Sequence, residues 1–314
     1  MRIGIVVDSA CDLPKSFIEE NGIVVMPIAV RVGDKLFQDR RDPEETWAFY
    51  AEHLDTRTED HAESIPYTAR QIEDLFLDRL VVEYDHVFCV TITSARSQIY
   101  GNATQASLNI VNKYKERRRQ AGIPGPFSVG VINSRTMFTG QGVQVAEIVR
   151  LIREGSTPSQ IGNRIRQLTA DTYAFLMPAD LFHVYKRASK RGDNGIGWGA
   201  YTLGQMLDVK PIMCSHRDQI GPVAKVRGFD TGVERLFRNA SGQIRRGLKS
   251  PHVCISFGGN PEEVKTMPGY EEMDRAAREH GVSLLTSVMS MTAAVNVGSG
   301  GVSIAYTADP HGFH

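Results

Sequence analysis

Apolar positions in the first half of the chain fall into short solid runs separated by stripes of helical spacing. Residues 3–7, 23–30, 87–92 and 127–132 are apolar and rich in β-branched side chains, which predicts strands. The 87–92 run lacks polar alternation, as expected of a strand covered on both faces. A helix is predicted over 14–20, stopped by Asn21-Gly22, and Gly33-Asp34 reads as a hairpin turn before Lys35-Leu36-Phe37. Asp42-Pro43-Glu44-Glu45 opens a helix with an N-cap and a proline in its first turn. Trp47, Tyr50, Ala51 and Leu54 are spaced to share its buried face. Thr68 and Gln71 form a capping pattern ahead of the stripe Ile72, Leu75, Phe76 and Leu80. One long helix is expected over 100–119. Another follows Gly140 with Val145, Ile148, Val149 and Ile152 inward, and Thr157-Pro158-Ser159-Gln160 caps its successor. Strands alternating with helices predict a mostly parallel sheet flanked by helices.

The second half is less regular. Strands are expected at 173–177, 253–257, 283–288 and 302–306, and 209–213 pairs with 223–226 around a turn at 219–221. A helix follows Asp230, and 186–199 is basic and rich in glycine. The fold class is therefore α/β with two α/β domains, over residues 1–168 and 169–314. No repeat array or low-complexity segment interrupts it.

Composition narrows the function. With 36 basic and 36 acidic residues the formal net charge is zero, which argues against nucleic acid as a partner. No apolar run approaches the ~20 residues of a membrane span. The opening residues form a strand, not a secretory signal, so a cytoplasmic location is expected. Cys11, Cys89, Cys214 and Cys254 are scattered, without the spacing of a metal site or a disulfide framework.

Three polar turns end the first-half strands: Asp8-Ser9, the stretch 91–97, and Asn133-Ser134. Ligands of open α/β sheets collect at these ends, and hydroxyls can hold a carboxylate without a fixed charge. The same residues equally suit helix caps and turns. There is no G-x-S-x-G elbow, H-E-x-x-H pair or Walker loop. The glycines from Gly195 to Gly199 follow a basic stretch, not a strand, which argues against a dinucleotide loop, and no cofactor is implied. Lys186, Arg187, Lys190 and Arg191 suit an anion or an acidic partner, whereas the run 113–119 reads as a solvated helix face.

Eight segments in order resemble the DegV family. They are Asp8-Ser9 through Asp12-Leu13 (D-S-x-x-D-L), Pro27-Ile28 with Asp39 and Asp42, Glu63-Ser64-Ile65-Pro66 (T-S-x-P), and the stretch from Thr93-Ser94 to Tyr100 (S-S-x-L-S-G-T-Y). Asn133-Ser134 with Gly140 and Gly142, then Leu207 to Ile212 (L-x-I-K-P-I), Lys225 to Gly228 (K-x-R-G) and Gly298 to Tyr306 complete the set. The resemblance implies two domains enclosing one fatty acid, a carboxylate held by hydroxyls, and in some members presentation of the acid to a fatty acid kinase. Carried over, Ser64, Thr93 and Ser94 are the expected headgroup contacts, with Ser9 nearby. This chain departs from the pattern at Glu63, in place of a threonine, and at Asn296, in place of a histidine. The family's arginine loop is also replaced, with Arg187 or Arg191 as its substitute. The resemblance thus implies a non-catalytic binder of a long-chain fatty acid or related lipid. The alternatives are an acyl hydrolase or transferase using a serine of segment 93–97, or a binder of another amphiphile that Glu63 would suit.

Overall fold

The structure is a computed structural model in which residues 1–53, 62–181 and 208–313 are described. β1 (Ile3–Asp8), β2 (Val24–Met26), β6 (His86–Thr91) and β7 (Ser128–Asn133) form a sheet in the order β2-β1-β6-β7, all parallel. β3 (Ile28–Val32), β4 (Lys35–Asp39) and β5 (Ala62–Ile65) form a small antiparallel sheet with β3 in the middle. Helices α1 (Lys15–Glu20), α2 (Pro43–His53), α3 (Ala69–Leu75), α4 (Ile99–Asn109), α5 (Tyr114–Gln120), α6 (Thr139–Arg153) and α7 (Pro158–Leu168) complete the first half. Ile72, Phe76, Ala103 and Ala106 cover one face of the parallel sheet, and Ile18, Ile148, Ile161 and Ile165 the other. That double cover explains the unbroken apolar strands.

The second half adds a six-stranded sheet of β8 (Thr172–Met177), β9 (Val209–His216), β10 (Gln219–Arg227), β11 (His252–Phe257), β12 (Ser283–Val288) and β13 (Val302–Thr307). Its order is β10-β9-β8-β13-β11-β12, antiparallel except for β11 with β12. α8 (Phe229–Arg246) and α9 (Tyr270–Glu279) pack in its core, and α10 (Met291–Val297) lies against the small sheet of the first half. The chain is thus built as two α/β domains. α6 runs between them, buried on every side from Thr139 to Val149. A β-carbon at Gly142 would stand 2.8 Å from the Asp12 carbonyl oxygen and 3.3 Å from Cys254 Sγ, so glycine permits the close passage.

The Gly33 turn, the Thr68 and Thr157 capping boxes and most of the strands form as expected, but the strand read over 23–30 divides at Pro27 into β2 of the parallel sheet and β3 of the small one. Four further expectations need correction. In α2 the buried face is Thr46, Phe49 and Tyr50, while Trp47 is 42% exposed and Ala51 points outward. The Tyr50 hydroxyl donates to the Met289 carbonyl, which fixes that rotation. The helix over 100–119 breaks between α4 and α5. Ile110-Val111-Asn112 has weak helix propensity, and Asn109 and Lys113 turn toward the buried Glu73. Arg118, in the run expected to be solvated, is buried and donates to the carbonyls of Val81, Tyr84 and Pro124 and to Asp85. Finally, the β9–β10 turn is Arg217-Asp218, not 219–221. Both residues are left-handed, φ 52° and 67°, as a tight two-residue hairpin requires. The stripe residue Leu54 and the basic stretch 186–199 lie outside the described residues.

Candidate functional site

All four strands of the parallel sheet point the same way, so Asp8, Thr91 and Asn133 end at one rim. Asp8 is fully buried there, accepting from Ala10 N at 3.1 Å and Ile92 N at 2.7 Å. Burial lifts its carboxyl to about 7, against the lowering effect of those N–H groups. Ser9 accepts from Ile28 N at 3.0 Å, so its hydroxyl holds the β2–β3 corner.

Beyond this corner lies a sealed polar cluster spanning both domains. Asp12 accepts from Ser256 Oγ at 2.6 Å and Ser290 N at 3.0 Å, and Arg41 Nη1 stands 3.3 Å from it. Arg41 Nη2 donates to the carbonyls of Val288 at 2.9 Å and Leu13 at 3.3 Å. Asp39 accepts from Thr292 N at 3.0 Å and Thr292 Oγ1 at 2.9 Å. Asp12, Asp39 and Arg41 are all buried. Burial pushes both carboxyls up, with Arg41 as the main opposing influence.

A second polar cluster stands open to water. Thr93 Oγ1 donates to Asp218 Oδ1 at 2.7 Å, Asn133 Nδ2 to the same oxygen at 3.1 Å, and Arg135 Nε to Oδ2 at 2.7 Å. Partial burial of Asp218 works to raise its carboxyl, but these three donors outweigh it and hold the group below its ordinary value. Asn133 Nδ2 also donates to Ser94 Oγ at 2.9 Å, and Asn133 Oδ1 accepts from Ser94 N at 3.2 Å and Arg135 N at 3.0 Å. Thr93 is fully buried, whereas Ser94 is exposed and lines a hollow of about 560 Å³ over residues 94–102. Tyr100 lines this hollow and, with Asn133, a second one of about 350 Å³ along the outer edge of β7.

On β5, Ser64 is in register with Val30 and Glu63 with Arg31, so the two neighbours face opposite sides of the small sheet. Ser64 shares the face of Val30, whose side chain packs with Met291, Ala294 and Val295 of α10. Its hydroxyl is exposed and without a partner among the described residues. Glu63 pairs with Arg31 at 2.8 Å on the other side. Asn296, at the far end of α10, donates to the Thr292 carbonyl of its own helix at 2.7 Å. Arg187 and Arg191 lie outside the described residues. The segments carrying Thr93-Ser94 and Asn296 border one apolar cluster, in which Met289, Ala293 and Val297 join Ile28, Ile92 and Ile99. Met289, Ala293 and Val297 thereby dock the second half onto the core of the first, an apolar joint between the two.

A family model described as "Uncharacterised protein, DegV family" matches residues 2–309. The chain belongs to the DegV family. It is 45% identical over 313 residues to a DegV domain-containing protein of Xanthomonas campestris pv. campestris, covering 100% of this chain and 99% of that one. Among solved structures it is similar to a stearic acid-binding protein from Eubacterium ventriosum, at TM-score 0.76 and 21% identity over 98% of each chain. It is likewise similar to DegV, a fatty acid binding protein from Bacillus subtilis, at TM-score 0.73 and 19% identity over 98% of this chain and 100% of that one. At these identities the likeness establishes the two-domain DegV fold. Among the described residues, no helix is long and apolar enough to cross a membrane.

The DegV motifs single out Ser9, Ser64, Thr93 and Ser94 but give no sign of Asp218 or Arg41. Asp218 sits in a turn 125 residues from Thr93, and no local pattern joins the two. Arg41 follows Asp39, which the motif did single out, and a cation next to a buried acid was the available signal.

Proposed function

We propose that the chain is a non-catalytic cytoplasmic binder of one long-chain fatty acid or related lipid, with domains over residues 1–168 and 169–314 closing over the ligand. The observation that carries this is the apolar joint, where Met289, Ala293 and Val297 meet Ile92 and Ile99 just inside the Thr93-Ser94 turn. An alkyl tail along such a joint gains ~0.8 kcal/mol per methylene, so the tail supplies most of the affinity. The exposed hydroxyls of Ser64 and Ser94 meet the carboxylate, which would be costly to leave without partners. Thr93 acts behind them, its hydroxyl being committed to Asp218. Asn296 borders the site, and Ser9 shapes the corner beneath it. Glu63, turned to Arg31 on the opposite face, does not confront the headgroup, which favours a carboxylate over a donor-bearing head. The fatty acid-binding proteins of the same fold support the choice of ligand.

Acyl transfer by a serine of segment 93–97 would need a base beside it. The hydroxyls of Ser94 and Ser97 instead accept from Asn133 Nδ2 and the Ile99 N–H, and neither donates to a base among the described residues, which supports binding without chemistry. Presentation of the bound acid to a fatty acid kinase belongs to the same proposal. Acyl phosphate formation that depends on this chain, with kinase and ATP supplied, would support it. The direct test titrates delipidated protein with fatty acids of increasing length. Affinity should rise about fourfold per methylene until the joint is filled, and an affinity indifferent to length contradicts the proposal.

A further inference from the structure

The parallel sheet ends at β7, and its last edge is left open. Ser128 N donates to the Asp85 carbonyl at 3.1 Å and Ser134 N to the Thr91 carbonyl at 3.0 Å, both on the β6 side. Backbone groups alternate sides along a strand, so the N–H and C=O groups of Val129, Val131 and Asn133 face away from the sheet. Such an edge is a template for another strand unless something blocks it. β10, an edge of the larger sheet, is blocked. It carries Pro222, a register shift between Pro222 and Ala224, and the cations Lys225 and Arg227. β7 has no proline, no charged residue and no register shift over Ser128–Asn133.

The open edge lies in a groove. The hollow of about 350 Å³ follows Gly130 to Asn133, with Tyr100 of α4 on one side and Ser159, Gly162 and Arg166 of α7 on the other. Two glycines keep it open without being needed by the fold. A β-carbon at Gly130 would lie 3.6 Å from His86 Nε2, and one at Gly162 3.6 Å from Arg166 Nη1. These are ordinary contacts, and neither glycine is left-handed. Alanine would suit both elements better, and a glycine inside a strand often marks the close approach of another backbone. The groove also carries one sign of charge. Arg135 and Arg166 line it, and among the described residues no aspartate or glutamate does. Arg135 gives its Nε to Asp218. Arg166 donates to Asn163 of its own helix and has no carboxylate partner among the described residues.

From the open edge, the idle glycines and the unbalanced charge we infer that β7 is a docking groove for a protein partner, which adds an extended, acidic segment to the four-stranded sheet as a fifth strand. The outward N–H and C=O of Val131 supply main-chain bonds to the incoming strand. Its carboxylates meet Arg166 and Arg135 through charge-assisted hydrogen bonds. Main-chain pairing gives the affinity, and the two cations choose among partners. The inference is independent of what the joint between the domains holds.

The test is fluorescence anisotropy of the full-length chain at low salt with two labelled octapeptides, one alternating valine with glutamate and the other valine with lysine. The acidic peptide should bind about tenfold tighter or better. Val131→Pro removes an N–H that faces away from the sheet, as proline on an edge strand can, so the ladder to β6 survives while docking weakens by about tenfold. Arg166→Glu reverses an exposed charge and should weaken the acidic peptide by about tenfold without moving the thermal midpoint. An acidic peptide N-methylated at every residue keeps its charge but offers no N–H, and should bind about tenfold more weakly than its parent. Equal binding of the acidic, basic or N-methylated peptides overturns the inference, as does a wild type that binds none of them. A folded Val131→Pro or Arg166→Glu that takes the acidic peptide as wild type does overturns it as well. So does a wild-type dimer dispersed by Val131→Pro, which would give the edge to a second copy of the chain.

Discussion

Asp12 and Asp218 each reach from one half of the molecule to the other, in opposite directions and in different surroundings. Asp12, from the first half, takes hydrogen bonds from Ser256 and Ser290 of the second and is fully buried beside Arg41. Asp218, from the second half, takes hydrogen bonds from Thr93, Asn133 and Arg135 of the first, and its side chain keeps 28% exposure. In the sealed cluster the partners of both carboxyls are supplied by the protein, and a missing one cannot be replaced by water. That suits a fastening between domains. In the open cluster, Ser94 on the rim has a hydroxyl with capacity left over, which suits exchange with a ligand. Similar groups at one joint thus divide between architecture and recognition according to access to water.

The largest effect should come from Arg41→Met, which leaves Asp12 and Asp39 buried without their cation. Urea unfolding at neutral pH should show a loss of about 3 to 5 kcal/mol. A loss below about 1 kcal/mol would mean that Arg41 does not hold the sealed cluster together. Asp8, also buried, should give the next largest effect, through pH. Its folded value of about 7 lies above the ~3.9 of an unfolded aspartate. Between those values the folded chain keeps a proton that the unfolded chain has released, so stability falls as pH rises through the window. From about pH 5 to about pH 7 the loss from this group is about 2 kcal/mol. It should appear as a difference between the wild type and Asp8→Asn, and parallel pH responses would contradict it. The smallest effect belongs to the open cluster. Asp218→Ala should cost about 1 kcal/mol of stability, because solvent screens its ion pair and water can replace its bonds. A cost matching that of Arg41→Met would erase the distinction between the two clusters.

Much of the fold was legible because its signals are local. The unbroken apolar runs at 3–7 and 87–92 became strands buried on both faces, and the Thr68 and Thr157 boxes cap their helices. Local pattern failed where distant contacts decide. Glu73 captures Asn109 and Lys113 and interrupts a helix that periodicity would continue. Tyr50 is rotated inward by the Met289 carbonyl, leaving Trp47 outside. The site was legible only in part for the same reason. Family motifs singled out Ser64, Thr93 and Ser94 as expected headgroup contacts, but which hydroxyls are already committed depends on residues far along the chain. Thr93 is bound to the Asp218 carboxylate, Ser9 to the Ile28 N–H, and Ser94 alone of these three lies exposed.

The claim at the centre is that the apolar joint behind Ser94 accepts an alkyl tail. Organic extraction and mass spectrometry of protein purified without added lipid tests it most directly. A long-chain fatty acid recovered in proportion to protein, and lost when the chain is unfolded and washed, is the predicted result. Repeated preparations that yield no bound lipid, and that take none up from a fatty acid mixture, would contradict it.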